Sequence, residues 1–344
     1  MNIQKSLNKI CERQNLEYQE SRDIFRAMFE GDLSPSQSGA LLLGLRFKGE
    51  TGDELGAAVS VALEKARLVT GIKGVRIDTC GTGGDGRSSF NCSTAVAFFL
   101  ADLGVKVVKH GNRAVSSSCG SADVVEALGL PLLSDPFDVG SELDKTSFAF
   151  LFAPHFHPSF AGVAPLRKEL GIRSIFNLMG PLLNPARPTH QILGVPDPSF
   201  MPIMASVLKK NKVQSAAVVH GAKGFDELTP CGKNRVIFVR EGRISEEIID
   251  PEEFGFSACS AGAMACKDKQ EALARQKEIL GGTGPSAMQD MVALNLGLAI
   301  HLLDSGQTLN DCMAQAREVV RAGLKRFDFL LKQTLIKRES RDEK

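Results

Sequence analysis

Tryptophan is missing from the sequence, and tyrosine occurs once, at Tyr18. Proteins that bind single-stranded nucleic acid stack bases on aromatic side chains, so this scarcity weakens a nucleic-acid function. The formal net charge is +1, which also gives no excess of positive charge for nucleic acid or an anionic membrane surface. We therefore expect neither nucleic acid nor a membrane as a partner.

A paired-cysteine motif is lacking as well. None of the eight cysteines forms a C-x-x-C pair, and their scatter is typical of reduced thiols, not of a disulfide framework or a zinc site. They are Cys11, Cys80, Cys92, Cys119, Cys231, Cys259, Cys266 and Cys312. Residues 1–5 lack a signal-peptide core, and no apolar run approaches membrane length. These absences favour a soluble, cytoplasmic protein.

The hydrophobic pattern begins with a helical segment. With 344 residues, of which 43% are hydrophobic, the chain can bury a large core and is expected to form two lobes. Residues 3–67 have helical periodicity that is broken at residues 31–35, where Ser34 suits an N-cap and Pro35 the first helical position. We therefore predict a small helical bundle at the amino end.

Short apolar strands then alternate with helices as far as about residue 256. The predicted strands are residues 75–77, 104–108, 148–152, 192–195 and 216–219. Alternation of this kind is typical of a mostly parallel sheet with helices on both faces. A further pair of apolar runs, residues 235–239 and 244–249, predicts an antiparallel hairpin at the sheet edge.

Residues 267–332 are helical in pattern again, so we expect them to pack on the bundle and on the sheet domain. The predicted fold class is α/β, with a small α-helical bundle domain plus a larger α/β domain that has a mostly parallel central sheet. The predicted limits are 1–70 for the bundle, 71–266 for the α/β domain and 267–344 for the carboxyl-terminal helices.

A glycine-rich stretch follows the first predicted strand. Four glycines occur within residues 81–86, where backbone amides can approach a ligand without interfering side chains. Asn91, Ser93 and Thr94 then precede a predicted helix over residues 95–103, whose amino end adds further amides and a positive dipole. The next strand is expected to present Lys109 at its carboxyl end. This combination predicts a phosphate site at the carboxyl edge of the sheet.

The same glycines satisfy the dinucleotide pattern G-x-G-x-x-G through Gly81, Gly83 and Gly86, with Asp102 about twenty residues downstream. The context argues against nicotinamide binding, because the polar residues 86–89 separate the turn from its helix. Asp102 also falls late in that helix instead of at a strand end. The Walker pattern fails, since no Gly-Lys-Ser/Thr follows the glycines.

Taken together, the motifs resemble those of the anthranilate phosphoribosyltransferase family over nearly the whole chain. They are residues 81–85, 91–94, 109–113, 120–123, 163–184 with Arg167 and Gly180-Pro181, and 224–227. The resemblance implies transfer of phosphoribose from phosphoribosyl pyrophosphate to the amine of anthranilate, with Mg²⁺, in tryptophan biosynthesis. It also implies a homodimer formed through the helical lobe, where residues 40–45 are apolar.

For the phosphoribosyl donor, the resemblance implies a long set of contacts. These are Gly81, Gly84, Asp85, Ser89, Asn91, Cys92, Ser93, Thr94, Lys109, His110, Gly111, Asn112, Arg113, Ala114, Val115, Ser116, Ser117 and Ser121. Ser118 replaces a basic residue that is common in the family between these serines and Gly120, and Phe225 replaces a common leucine. Asp85 is interpreted as a polar anchor, and no residue is assigned as general acid or base.

The acidic pair Asp226-Glu227 follows a predicted strand and suits Mg²⁺, which prefers one or two carboxylates plus substrate phosphates. From charge alone, a solvated acidic turn is the commoner explanation of such a pair. The resemblance implies that the pair binds one Mg²⁺ and that Ser93 contacts a second one. Two Mg²⁺ ions are therefore expected to accompany the bound donor. Ser93 taken alone is more often a helix cap, and it could be both.

Arg167 is the candidate for the acceptor carboxylate, because a guanidinium matches a planar carboxylate with two parallel hydrogen bonds. A solvated or structural arginine is the usual alternative. The resemblance places Arg167, Asn112 and the Gly81 backbone on anthranilate. His155 and His157 lack a third metal ligand, so zinc is disfavoured and one of them could line the acceptor pocket.

Two further histidines are interpreted as parts of loops at the site. His110 is interpreted as part of the donor loop, and His220 as support for the acidic loop.

Two other functions are alternatives to the transferase. A pyrimidine nucleoside phosphorylase would share the architecture, but its phosphate loop differs and it lacks a counterpart of Arg167. A non-catalytic nucleic-acid-binding relative is expected to lose the acidic pair and to carry a basic face.

Overall fold

The amino-terminal lobe is a bundle of four helices in the computed structural model, which describes residues 2–83, 90–113 and 119–326. They are α1 (Ile3–Cys11), α2 (Tyr18–Glu30), α3 (Pro35–Lys48) and α4 (Gly52–Glu64). The predicted start at Ser34 is confirmed: Ser34 Oγ accepts from Gln37 N at 3.2 Å, and Gln37 Oε1 accepts from Ser34 N at 2.9 Å. This capping box fixes where the chain turns into α3.

Within the described residues, seven strands form one sheet in the order β3-β2-β1-β4-β5-β6-β7. They are β1 (Ile77–Gly81), β2 (Val107–Gly111), β3 (Phe148–Phe152), β4 (His190–Gly194), β5 (Ser215–His220), β6 (Asn234–Arg240) and β7 (Arg243–Ile249). Pairs among β1 to β5 are parallel, whereas β6 and β7 are antiparallel and close one edge. The predicted fold class and the edge hairpin are confirmed.

The first two strands begin later than predicted and extend into polar residues. β2 covers Val107–Gly111 instead of residues 104–108, because its whole length pairs with β3, from Val107 opposite Phe148 to Gly111 opposite Phe152. The apolar residues of the sequence identify only the part of each strand that lies in the hydrophobic core. Polar residues at the carboxyl ends are held in the sheet by backbone pairing, which a hydrophobicity pattern does not detect.

Helices cover both faces of the sheet. The other α-helices in the described part of the chain are α5 (Cys92–Asp102), α6 (Ser121–Ala127), α7 (Pro136–Thr146), α8 (Ala153–Phe156), α9 (Phe160–Leu170), α10 (Ile175–Met179), α11 (Met201–Lys210), α12 (Lys269–Leu280), α13 (Ser286–Leu303) and α14 (Leu309–Ala322). One apolar cluster joins α5, α6 and α12 to α14 to one face of the sheet, where Phe98 stacks on Phe148 at 4.6 Å between ring centroids. A second cluster joins the bundle, α9 and α11 to the other face. The domain limits given above stay a prediction.

The expectation that no apolar run approaches membrane length does not hold for the helix α13. Its 18 residues have a mean hydropathy of 1.2, so by length and composition it could cross a membrane. In the fold, 67% of this helix is buried, and it packs against α5, α14 and the strands β4 and β5. Its apolarity is accounted for by its central place in the core.

The strand order reverses between the parallel neighbours β1 and β4. The connections from β1 run to β2 and β3 on one side, whereas β4 and β5 lie on the other. Open α/β sheets bind ligands at the carboxyl ends of the strands that flank such a switch point, because the flanking loops diverge and leave a crevice there. A ligand-binding site is therefore expected at the carboxyl ends of β1 and β4.

Candidate active site at the carboxyl edge of the sheet

Three neighbouring strands end in glycine at this edge: β1 at Gly81, β2 at Gly111 and β4 at Gly194. Gly81 and Gly194 are register partners across the switch point. Thr82 N donates to Gly194 O at 2.9 Å, so the glycine-rich loop leaves β1 while still attached to β4. The absence of side chains at these ends leaves room for another part of the chain.

That room is filled by the acidic pair. A Cβ atom built on Gly194 would lie 1.6 Å from the backbone oxygen of Asp226, and one on Gly81 would lie 2.2 Å from Asp226 Oδ2. Asp226 Oδ2 also accepts from Gly83 N at 3.3 Å. Asp226 and Glu227 are both half-buried. The pair is therefore packed onto the strand ends, which disfavours the solvated-turn interpretation.

Two buried asparagines hold the loop that carries this pair. Asn234 Oδ1 accepts from the backbone amides of Ala222 at 3.0 Å and Thr229 at 2.9 Å. Asn295, on α13, accepts from Leu228 N at 3.0 Å and donates to Leu228 O at 2.8 Å. The sequence analysis missed both residues. The available signals were an asparagine in an apolar strand, Asn234, and one within an apolar helix, Asn295. A buried side-chain amide requires hydrogen-bond partners, so each position indicated a polar contact in the core.

Lys109 lies inside β2, not at its end as predicted. Its side chain is buried, and Nζ donates to Thr79 O and, at 3.4 Å, to Ser93 Oγ. Burial lowers the pKa of Lys109, while nearby Asp78, Cys80 and Glu227 raise it. The Lys109 side chain therefore links β1 to the first turn of α5 by hydrogen bonds.

Asp78, whose charge interacts with that of Lys109, is a further buried group that the sequence analysis did not assign. Asp78 is 1% exposed and accepts from Asn184 Nδ2 at 2.8 Å. Burial raises the pKa of Asp78 to about 6, although Lys109 and the hydrogen bond from Asn184 lower it. Asn184 also donates to Val108 O at 2.7 Å, so one amide joins β1 and β2 to the chain that leads into β4.

The helix after the glycine-rich loop starts at Cys92, three residues earlier than predicted. Asn91 occupies the N-cap position, but its side chain donates to Cys119 O at 2.9 Å and makes no cap bond. Ser93 is therefore inside the helix and is not the cap. Cys92 and Thr94 are buried, and Thr94 Oγ1 has no hydrogen-bond partner within the described residues. Asp226 and Glu227 contribute to the raised pKa of Cys92 after burial, which places their charge near this turn.

The other predicted donor residues divide into two groups. Seven of them lie outside the described residues, namely Gly84, Asp85, Ser89, Ala114, Val115, Ser116 and Ser117. Ser118, the departure from the family pattern, lies outside them too. Of the rest, Ser121 Oγ donates to Asn112 O at 3.4 Å and lies 2.3 Å from a Cβ built on Gly111. Arg113 forms an ion pair with Glu126, so its guanidinium already has a partner within the chain.

Two histidine rings meet beside β2. His110 and His157 pack edge to face with ring centroids 5.1 Å apart. Burial, and then His157, lowers the pKa of His110 to about 3, and burial lowers the pKa of His157 to about 4. Both rings are therefore neutral near pH 7. His155 is exposed, and His220 Nδ1 contacts Val195 O at 3.0 Å.

Arg167 lies on α9, at the junction of the bundle and the α/β domain. Its guanidinium carbon is 5.0 Å from the centroid of the Phe176 ring, and Phe176 belongs to an aromatic group with Phe29 and Phe160. The side chain is half-buried, and burial lowers its pKa. Among the described residues no carboxylate forms a salt bridge with Arg167. The described contacts do not bring it to Asn112.

A second arginine of this region was missed from the sequence. Arg173 Nη2 donates to Gly83 O at 2.9 Å, so the chain after α9 is bonded to the glycine-rich loop. Its position within the motif 163–184 was the only available signal. The segment that carries Arg167 is thereby fastened to the loop that contacts Asp226.

No group of three or more His, Cys, Asp or Glu that could hold a metal occurs in the described part of the chain. A site of two carboxylates remains, and it provides only part of a coordination shell. The remaining ligands would have to come from solvent or from a bound oxyanion.

Comparison with known proteins agrees with this architecture. Residues 4–66 match the glycosyl transferase family helical bundle domain, and residues 73–325 match the glycosyl transferase family a/b domain. Anthranilate phosphoribosyltransferase of Nitratidesulfovibrio vulgaris is 52% identical over 304 residues, covering 87% of this chain and 90% of the relative.

Two solved structures show the same fold. Anthranilate phosphoribosyltransferase from Thermus thermophilus has a TM-score of 0.86 at 37% identity, covering 96% of this chain and 98% of that one. The Saccharomyces cerevisiae enzyme in complex with PRPP and Mg has a TM-score of 0.83 at 24% identity, covering 96% of each chain. Bundle, sheet and site thus define a transferase of the glycosyl transferase family. Within it, the chain belongs to the anthranilate phosphoribosyltransferase family.

Replacement of Gly194 tests the close approach of the acidic loop. Gly194→Ala places a methyl group against the Asp226 backbone, so we expect a loss of roughly 1–3 kcal/mol in the free energy of unfolding. Gly140→Ala is the control, because nothing lies within 4 Å of a Cβ at that position in α7. It is expected to stabilise by roughly 0.5–1 kcal/mol. Equal urea midpoints for the two variants would contradict the packing described here.

Proposed function

We propose that the protein transfers phosphoribose from 5-phosphoribosyl 1-pyrophosphate to the amine of anthranilate, giving N-(5-phosphoribosyl)anthranilate and pyrophosphate in tryptophan biosynthesis. One observation supports this above others: the Asp226 carboxylate is held against the backbone of the glycine-rich loop at the switch point of the sheet. A loop rich in backbone amides beside a carboxylate pair suits a diphosphate with its cation. The relatives' names supply the identity of the two substrates.

The reaction requires positioning and charge neutralisation more than proton transfer. The bond from the anomeric carbon to pyrophosphate breaks, positive charge develops on the sugar, and the anthranilate nitrogen forms the new bond. An aromatic amine is unprotonated near neutral pH, so no base has to remove a proton before attack. Neutral His110 and His157 accord with this, and the rate enhancement would come from orientation and electrostatic stabilisation.

We propose Mg²⁺ as the cofactor, with Asp226 and Glu227 as its protein ligands and Ser93 at a second ion. The donor set fits, since two half-buried carboxylates beside a phosphate-type loop match the preference of Mg²⁺ for few protein oxygens plus phosphate. When bound, Mg²⁺ would neutralise the charge of the leaving diphosphate. The protein's own contribution is to hold Asp226 in place through Gly83 and the clamps at Asn234 and Asn295.

We propose that Arg167 binds the anthranilate carboxylate. Its guanidinium is half-buried, rests on the Phe176 ring and lacks a carboxylate partner in the described structure. A planar aromatic acid could place its ring among these aromatic side chains and its carboxylate on the fork of Arg167. Asn112 and the Gly81 backbone stay proposed contacts of the same acceptor.

The reaction itself is tested by the fluorescence of anthranilate. It should decrease only when phosphoribosyl pyrophosphate and Mg²⁺ are both supplied, because the diphosphate is expected to bind with its cation. Thymidine or uridine with phosphate is the matched control for a phosphorylase and should give no product. Phosphorolysis without consumption of anthranilate would overturn the proposal.

Removal of the acidic charges tests the metal assignment. Asp226→Asn with Glu227→Gln should retain the fold but lose at least about a hundredfold in turnover, since an amide is a poor Mg²⁺ ligand. Excess Mg²⁺ should restore little. The control replaces the exposed pair Glu252 and Glu253 by glutamine and should leave turnover unchanged. Full activity of the first variant, with an unchanged circular dichroism spectrum, would refute the assignment.

Acceptor recognition is tested at Arg167. Loss of a charged hydrogen bond costs roughly 1.5–3 kcal/mol, so Arg167→Ala should lower kcat/KM for anthranilate about ten- to a hundredfold while the KM for the donor changes little. Arg167→Lys should recover only part, because an ammonium lacks the planar fork. The exposed neighbour Lys168→Ala is the control. A selective rise in the donor KM would place Arg167 in the phosphate site instead.

We further propose a cytoplasmic homodimer formed through the helical lobe. Within the apolar segment 40–45, Leu41, Leu42 and Leu45 are buried in the bundle, whereas Leu43 is 55% exposed. Phe47, one turn later, is 68% exposed, so α3 presents an apolar pair to solvent. Light scattering at micromolar concentration should give twice the chain mass, and Phe47→Glu should reduce it. An active monomer would contradict the dimer.

A further inference from the structure

Two cysteines that are far apart in sequence meet next to the acidic loop. Cys231 Sγ and Cys259 Sγ are 3.7 Å apart. Cys231 lies four residues after Glu227, and Cys259 lies in the irregular segment between β7 and α12. Both thiols are free and half-buried, so a small reagent can reach them.

Backbone contacts keep the two segments together. Cys259 N donates to Pro230 O at 3.3 Å, which joins the chain beside one sulfur to the chain beside the other. Cys231 N donates to Thr229 Oγ1 at 3.4 Å. A disulfide has an S–S distance of about 2.05 Å, so the sulfurs need to approach by only about 1.6 Å from their present contact.

We propose that Cys231 and Cys259 are a modification site that forms a reversible disulfide with a low-molecular-weight disulfide as oxidant. Disulfides of cytosolic proteins are commonly transient and catalytic or redox-sensing, and a pair in contact beside the loop proposed to hold Mg²⁺ suits a redox-sensing role. Closure pulls on residues 229–232 and thereby on the loop that carries Asp226 and Glu227.

The exchange balances with glutathione disulfide as the oxidant. Cys231, after losing its proton, attacks one sulfur of glutathione disulfide, forms a mixed disulfide and releases one glutathione, which takes up a proton. Cys259 then loses its proton and attacks the Cys231 sulfur, which releases the second glutathione. The protein loses two electrons, and one glutathione disulfide becomes two thiols.

The order of attack follows from the environment of Cys259. Burial, together with the hydrogen bond and charge of Cys231, raises the pKa of Cys259 to about 12. Its thiol therefore stays protonated while Cys231 is reduced. Once Cys231 carries glutathione, its hydrogen bond and charge no longer raise the pKa of Cys259, and the Cys259 thiol lies beside the sulfur that it attacks.

The link to the acidic pair runs through Thr229. Its backbone amide shares the Asn234 Oδ1 acceptor with Ala222, which lies on the other side of the pair. Movement of residues 229–232 would disturb this clamp. We therefore expect the oxidised protein to need a severalfold higher Mg²⁺ concentration for half-maximal turnover, an effect that rests on the proposed function.

The test oxidises the purified full chain with glutathione disulfide, alkylates the remaining thiols and maps the peptides by mass spectrometry without reduction. We expect a peptide pair linked through Cys231 and Cys259 that dithiothreitol removes. Cys259→Ser should instead carry glutathione on Cys231, and Cys266→Ser, at a buried cysteine seven residues later in the chain, should still form the linked pair. Alkylation of both thiols at oxidant levels that modify exposed Cys11 would overturn the proposal.

Activity is measured on the same samples across a Mg²⁺ titration. A linked protein whose Mg²⁺ dependence equals that of the reduced protein would refute the coupling to the acidic loop. Absence of turnover in the reduced protein would refute the proposed function and leave the mapping result to decide the disulfide. Recovery of the Mg²⁺ dependence on reduction, with no oxidant effect in Cys231→Ser, is the expected result.

Discussion

The site depends on a close approach that only glycine permits. The backbone of Asp226 lies where a Cβ of Gly194 would be, and its carboxylate lies where a Cβ of Gly81 would be. Because both glycines end strands at the switch point of the sheet, the acidic pair is carried onto the place where an α/β fold binds ligands. A methyl group at either strand end would move the carboxylates away from the glycine-rich loop.

Two buried charged side chains, Lys109 and Asp78, lie close to these strand ends. Lys109 and Asp78 are buried under the strand ends, where burial lowers the pKa of the lysine and raises that of Asp78 to about 6. Lys109 is tied to β1 and α5, and Asp78 is tied to Asn184. Fixed groups of this kind need not reorganise when a charged ligand arrives, which is the usual source of electrostatic stabilisation in enzymes.

Sequence reasoning predicted the parts whose signal is local. The cap at Ser34 and the edge hairpin follow from short-range patterns, whereas the contact of Gly83 with Asp226 joins residues 143 positions apart and does not. It misplaced Lys109 and the start of α5, because backbone pairing extends β2 through polar residues and the Asn91 side chain bonds to Cys119 instead of capping. The clamps at Asn234 and Asn295 and the contact of Arg173 with Gly83 depend on tertiary neighbours, which no local pattern encodes.

A crystal structure with Mg²⁺ and phosphoribosyl pyrophosphate tests the central claim most directly. The account predicts Mg²⁺ within about 2.1 Å of a carboxylate oxygen of the acidic pair, at the ends of β1 and β4, with the diphosphate on the glycine-rich loop. Mg²⁺ bound to the diphosphate away from this edge, with Asp226 still accepting only from Gly83, would contradict it.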